Sequence, residues 1–234
     1  MSEVPAPPEG LRTTSAVDPN ATRIILVRHG QGVVNVSGVI GGPVGCVGLS
    51  DLGRAQVGGM AARLAKSGEL NDVDLLMSSI LPRARQTAEI LAPALGLSAN
   101  DIIEDCDVCE LHPGEADGLI WEEYAKRYEV PDWDSDPTMP LSPGGEDWAS
   151  FVDRAGAALD RLASEHQGKR IVVATHAGFI ESTIIRHLVG SERGSRHPRL
   201  RLQTKHASLT EWERSPLGWR MQRYNDAVGT ETAS

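Results

Sequence analysis

Apolar positions along this chain follow two periodicities that take turns. Residues 24–27 (Ile24, Ile25, Leu26, Val27) form an unbroken, mostly β-branched run, the pattern of a strand buried on both faces of a parallel sheet. Residues 73–79 (VDLLMSS) and 171–175 (IVVAT) repeat it. Between these runs the spacing changes to three and four. Ser50 is placed to cap a helix starting at Asp51, with Leu52, Ala55, Gly59, Ala62 and Leu64 as its packing stripe. Pro82 suits the first turn of the next helix, where its missing N–H is not needed, and Ala84, Ala88, Leu91 and Ala92 follow at helical spacing. Phe151, Val152, Ala155, Leu159 and Leu162 predict a longer helix over 146–165. An apolar helix over 179–188 follows His176 and Gly178, and ASLTEW (207–212) and GWRMQRY (218–224) read as edge strands of the same sheet. This alternation predicts an α/β fold, a three-layer α/β/α sandwich around a mostly parallel central sheet.

Residues 100–147 interrupt the pattern. They carry fifteen carboxylates against two basic residues, Lys126 and Arg127, with Pro, Gly and Trp scattered among them. They read as a small excursion or lid, with a short helix around 121–128 as the only regular piece expected. At the ends, residues 1–22 are rich in Pro, Ser, Glu and Thr and are expected to be disordered. A single catalytic domain is expected over 23–226, with a tail over 227–234.

Composition narrows the partners. A 234-residue chain with 40% hydrophobic residues can bury a substantial core. Its net charge of −9 and pI near 5.3, with no basic stripe interleaved with aromatics, speak against nucleic acid. No run approaches the roughly 20 apolar residues needed to span a bilayer, and the first residues lack a signal peptide's basic and apolar regions. No membrane partner and a cytoplasmic location are expected. Cys46, Cys106 and Cys109 are too few and odd in number for a disulfide framework. The spacing Cys106, Cys109, His112 permits a metal or redox reading, but without an evident fourth ligand these residues are read as structural.

The ends of the buried runs carry the chemistry. Arg28 with His29, then Arg83, then His176 fall at or just beyond the carboxyl ends of three predicted strands, where open α/β sheets bind ligands. Two guanidiniums and two imidazoles converging on one mouth suit a dianionic phosphoryl group. The helix after His176 would add N–H donors and the positive end of its dipole.

From about residue 23 to 226 the chain resembles the histidine phosphatase superfamily, also called phosphoglycerate-mutase-like. LVRHGQGVVN resembles its nucleophile motif, with Asn35 at the expected distance. GLSDLGRAQ resembles the helix start that follows, SSILPRARQTA the segment with the second arginine, and CELHPGEADGLIWEE the stretch with the proton donor. SPGGED resembles the turn before the long helix, and ATHAGFI the second histidine. Each motif is modest alone; their order and spacing together are specific.

The resemblance implies a phosphomonoesterase acting on a small-molecule phosphate ester. His29 would be the nucleophile, forming a phosphohistidine, while Arg28, Asn35, Arg83 and His176 would bind the phosphoryl oxygens. Neither a metal nor a cofactor is implied. The two arginines would also help keep His29 neutral. Glu110 would protonate the leaving oxygen and later activate water, which requires a pKa above the ordinary glutamate value near 4.3. Glu115 is the rival; the family spacing of Glu, three residues, Gly is met by Glu110 and Gly114. Gln31, Gly32 and Val34 replace the usual Glu, Thr and Trp, and Thr175 and Ala177 flank His176 where Ser and Gly are commoner. These departures alter the pocket wall and spare every catalytic group.

Other residues are given plainer expectations. His112, His166, His187, His197 and His206 fit no motif and are read as surface or structural. Trp133 and Trp148 could line a cleft or pack in a core, and Lys126 with Arg127 reads as the solvated face of a short helix. Two other functions stay open: a cofactor-dependent phosphoglycerate-mutase-type phosphoryl transferase and a non-catalytic phosphate-binding module. Mutases of the superfamily carry a longer insertion with arginines after the proton donor, whereas this segment is acidic.

Overall fold

The computed structural model describes residues 18, 20–189 and 202–227. Among the described residues six strands form one sheet: β1 (Thr22–Arg28), β2 (Leu75–Ser78), β3 (Ile103–Glu104), β4 (Arg170–Thr175), β5 (Leu209–Ser215) and β6 (Gly218–Asp226). Their order is β3-β2-β4-β1-β5-β6, with the first four parallel and the last two antiparallel. The predicted strands are present, and Thr22, assigned from sequence to the lead-in, is a buried residue of β1.

β5 corrects one expectation, since it lies inside the sheet between β1 and β6, and of the two strands expected at an edge β6 alone is there. Glu211 is buried against Arg23 and Arg223, and Glu213 against Arg220, so the charges are paired inside the sheet.

Six α-helices among the described residues complete the layers: α1 (Val33–Ser37), α2 (Asp51–Ser67), α3 (Pro82–Leu91), α4 (Trp121–Arg127), α5 (Trp148–Glu165) and α6 (Ala177–Ile184). Ile24 and Leu26 of β1 pack toward α5 and α6, while Ile25 and Val27 pack toward α2 and α3. This two-sided burial explains the unbroken apolar run, each side chain contributing about 1.5–3 kcal/mol.

Ser50 caps α2 as expected, its Oγ accepting from Gly53 N at 3.1 Å. The stripe of α2 is in a different phase from the expected one. Gly53, Val57, Met60 and Leu64 face inward, while Leu52, Ala55 and Ala62 are exposed. The phase is set at Gly53, where a Cβ would lie 2.0 Å from the Gln31 carbonyl oxygen. Helix α5 starts at Trp148 behind an Asp147 cap, and α6 starts at Ala177 and ends at Ile184 in a π turn, Ile185–Val189.

The excursion over 100–147 holds more than the single helix expected: β3 and short 3₁₀ turns at Ala99–Asp101, Cys106–Val108 and Gly114–Ala116 as well as α4. Ile40, Ala116, Tyr124 and Leu141 give it a small core of its own, joining it to the glycine-rich loop after β1. Asp117 fixes that loop by accepting from the backbone N–H groups of Gly42, Val44 and Gly45. No described helix is long and apolar enough to cross a membrane.

Candidate active site

The parallel register brings the expected residues together. Arg28 lies opposite Thr175, and Ser78 opposite Ala174, so His29, Ser79 and His176 leave neighbouring strands side by side. The backbone N–H of His29 donates to the Thr175 carbonyl at 2.9 Å, and that of Ser79 to Ala174 at 2.9 Å. Arg83 reaches the same point from the first turn of α3, which Pro82 opens. Gly30 permits the turn after His29, since a Cβ there would lie 2.3 Å from the Gly53 carbonyl oxygen.

His29 is buried, and its two ring nitrogens have different work. Nδ1 lies 2.6 Å from the Gly30 carbonyl oxygen, which can only accept, so Nδ1 carries the hydrogen. Nε2 is left with a lone pair, which accepts from Arg83 Nε at 3.1 Å. Burial first, then the charges of Arg83 and Arg28, hold the imidazole well below the ordinary histidine range. It is a neutral base aimed with a defined tautomer.

Arg28 donates from one terminal nitrogen to the Thr204 carbonyl and from the other toward His206 Nε2 at 2.9 Å. Arg83 is further fixed by the Gly41 carbonyl at 2.7 Å. Asn35 accepts from Gly32 N at 2.8 Å through Oδ1, which orients its amide. His176 is fully buried behind His29, with ring centroids 5.1 Å apart, and its Nε2 lies 2.8 Å from Ser79 Oγ. Burial and the nearby Arg83 also lower its pKa well below the ordinary value.

Glu110 faces this group from the excursion. Its Oε2 accepts from Gly178 N at 3.1 Å, so the first turn of α6 spends an N–H on this carboxylate. Glycine at 178 leaves room for this carboxylate, since a Cβ there would lie 2.1 Å from Glu110 Oε1 and the carboxylate would have to move. Behind it, Arg154 of α5 donates to the carbonyls of Asp107, Cys109 and Glu110 and grips the Glu146 carboxylate through two nitrogens at 2.7 Å. The Thr175 hydroxyl adds a bond to the Val108 carbonyl at 2.6 Å, giving one of the unusual residues beside His176 a definite task.

A cleft of about 510 Å³ opens above these residues. Arg28, His29, Asn35, Arg83 and Glu110 form its polar floor; Val34, Ile40, Trp121, Trp133, Trp148 and Phe151 are among its largely apolar walls. Trp133 and Trp148 stack at 5.7 Å, so they both line the cleft and pack on each other. Glu115 is outside it, exposed and accepting from Tyr128 Oη at 3.1 Å. Lys126 and Arg127 pair with Glu122 and Glu123 on the solvent face of α4, as expected.

His206 has a definite structural contact near the cleft. Read from sequence as surface or structural, it bonds Arg28 and places its ring 5.8 Å from that of His29, and burial, then Arg28, lowers its pKa to about 4. No motif marks it, because the contact depends on β5 lying beside β1. Arg154 and Ser79 were likewise invisible as site residues. His187 packs against Trp212 and Trp219, His166 ends α5, and His197 lies outside the described residues.

Comparison with known proteins agrees with this geometry. The profile of the histidine phosphatase superfamily (branch 1) matches residues 24–227. Phosphoglycerate mutase-like protein 4 of Arabidopsis thaliana is 37% identical over 170 residues, 70% of each chain. The metal-independent phosphoserine phosphatase of the same plant is 32% identical over 183 residues, 76% of this chain and 74% of its own. Among solved structures, a mycobacterial glucosyl-3-phosphoglycerate phosphatase complexed with VO3 superposes with a TM-score of 0.68 at 26% identity, covering 87% of this chain and 98% of that one.

Proposed function

This chain belongs to the histidine phosphatase superfamily, branch 1, and on that premise we propose that it hydrolyses a small phosphomonoester through a phosphohistidine on His29. The observation that carries the reading is the neutral Nε2 of His29, held 3.1 Å from Arg83 Nε in the cleft floor that also holds Arg28 and Glu110.

In the first step the Nε2 lone pair forms a bond to phosphorus as the P–O ester bond breaks. Arg28, Arg83, Asn35 and His176 bind the phosphoryl oxygens and neutralise charge as it develops. The leaving oxygen receives its proton from Glu110, whose place in the cleft supports it over Glu115. In the second step the Glu110 carboxylate takes a proton from water, the water oxygen bonds to phosphorus, and the P–N bond breaks to return neutral His29. The domain carrying this chemistry spans 23–226, with Thr22 added to its first strand.

A phosphatase is favoured over a mutase because the described cleft residues offer no cation beyond Arg28 and Arg83 to hold a substrate carboxylate. The apolar walls favour a monophosphate on a compact body with little negative charge. Phosphoserine, named in a plant relative, belongs in the test panel, although its carboxylate would meet no described cleft cation beyond Arg28 and Arg83. Three free cysteines support a cytoplasmic placement. Profiling metabolite phosphates with and without bisphosphoglycerate tests the reading. Phosphate release independent of bisphosphoglycerate is expected; isomerisation of phosphoglycerate dependent on it, without net release, would replace phosphatase by mutase.

A further inference from the structure

Outside the cleft floor, Cys106, Cys109 and His112 bring two sulfurs and one imidazole nitrogen within 4.8 Å of one another. They flank Glu110 on both sides in sequence. Cys106 lies on the surface, Cys109 is buried and His112 is part-exposed, so the cluster is open to solvent on one side only.

One edge of the cluster matches a tetrahedral soft-metal site, and the other two lie within 4.8 Å. With Zn–S bonds of about 2.3 Å and Zn–N bonds of about 2.0–2.1 Å, tetrahedral angles place sulfur and nitrogen about 3.6 Å apart. Cys106 Sγ and His112 Nε2 are 3.6 Å apart. The other face of the imidazole is also prepared: Nδ1 is 3.6 Å from Glu146 Oε2, the carboxylate held by Arg154, and the His112 backbone N–H donates to the same oxygen at 2.8 Å. A carboxylate beside Nδ1 favours the tautomer with its hydrogen there and leaves Nε2 free to ligate, as outer-sphere carboxylates do at zinc sites.

The cluster also touches the phosphate-binding residues. Ser79 Oγ lies 3.1 Å from Cys109 Sγ and 2.8 Å from His176 Nε2. Its one hydroxyl proton can serve only one neighbour at a time. While Cys109 is a thiol it can donate to Ser79, leaving the hydroxyl proton for His176 Nε2. A metal-bound thiolate can only accept, so Ser79 turns its proton to sulfur. Nε2 of a neutral His176 must then carry its own hydrogen, and Nδ1 becomes an acceptor that cannot donate to a phosphoryl oxygen.

We propose that Cys106, Cys109 and His112 form a Zn2+-class site with a water-filled fourth position, and that its occupation slows the phosphatase. Binding makes two Zn–S bonds and one Zn–N bond and releases the two thiol protons to buffer. The inhibitory half rests on the phosphatase reading; the binding half does not.

The test uses the full chain under a non-thiol reductant. Co2+ titration should give thiolate-to-cobalt charge transfer and the visible bands of a tetrahedral ion, and Zn2+ should displace it. Cys106→Ser and His112→Gln, both at accessible positions, should weaken Zn2+ at least about tenfold, the lower end of what losing even an outer-sphere partner costs. Absence of thiolate bands, or unchanged affinity in both variants, overturns the site. Zn2+ should slow wild-type turnover reversibly to a chelator and leave Cys106→Ser at its basal rate. Equal inhibition of that variant would assign the effect to the catalytic histidines, and binding without inhibition would overturn the coupling.

Discussion

Arg83 donates its Nε–H to Nε2 of His29 at 3.1 Å, the nitrogen left free because Nδ1 is bound to the Gly30 carbonyl. The arginine therefore marks where the lone pair points and, on the function proposed above, where a phosphoryl group would sit to receive it. Arg83→Lys keeps the charge and loses the fork. It should lower the single-turnover rate of phosphohistidine formation by about 10² to 10³, the range for removing one transition-state donor. A change under threefold would mean that charge alone suffices.

His29→Ala should abolish turnover, and rapid quench of the native enzyme with substrate should trap acid-labile, base-stable phosphate. Label on a serine or an aspartate would remove His29 from the nucleophile's role.

Glu110 and Glu115 separate by leaving group. Protonation matters greatly for an alkyl ester and little for a nitrophenyl ester, and general-acid help is worth about 10² to 10⁴. Glu110→Gln should slow single-turnover phosphorylation by alkyl esters far more than by nitrophenyl esters. Glu115→Gln, whose carboxylate lies outside the cleft against Tyr128, should lower both rates by a similar and smaller factor. The reverse pattern would make Glu115 the donor.

Gly178→Ala keeps every catalytic group and adds a methyl where the Glu110 carboxylate now lies, 2.1 Å away. The displaced carboxylate should reproduce the leaving-group selectivity of Glu110→Gln, with a loss of up to about 10² for alkyl esters. Uniform loss with both esters would show that Gly178 acts on phosphate binding instead.

Two buried histidines and one half-buried one make stability fall with acidity. His29, His176 and His206 all have folded values below the ordinary one, through burial first and neighbouring cations second. Below about pH 6.5 the unfolded chain binds protons that the folded chain refuses, so unfolding gains with each step down in pH. For His206 this continues to about pH 4, its folded value. The urea midpoint should drop between pH 7 and pH 5, and His206→Asn should flatten part of that slope. A midpoint constant over this range would mean that these rings accept protons while folded.

Sequence periodicity was a good guide wherever burial alone decides structure, as in β1, β4, α3 and α5. It misled where a contact between distant segments decides. The phase of α2 depends on Gly53 meeting Gln31, and β5 is interior because Arg23, Arg220 and Arg223 neutralise its carboxylates. The site divides the same way. Arg28, His29, Arg83 and His176 follow strand ends or a helix start and were legible, and Glu110 followed a spacing. His206 and Arg154 act through contacts with residues more than forty positions away, which no local pattern records.

The grip of Arg154 on the carbonyls of Asp107, Cys109 and Glu110 and on Glu146 separates two jobs within one loop. The stretch bearing Glu110 is riveted to α5 from behind, and α5 itself carries the Trp148 and Phe151 walls, on which Trp133 stacks, whereas Trp121 rests on Tyr124 of the excursion's own small core. A substitution at Trp121 can therefore reshape that side of the cleft while the carboxylate of Glu110 stays in register with His29. One helix thus sets both the reach of the acid and the hard side of the cleft, and the soft side is the one that α5 does not hold.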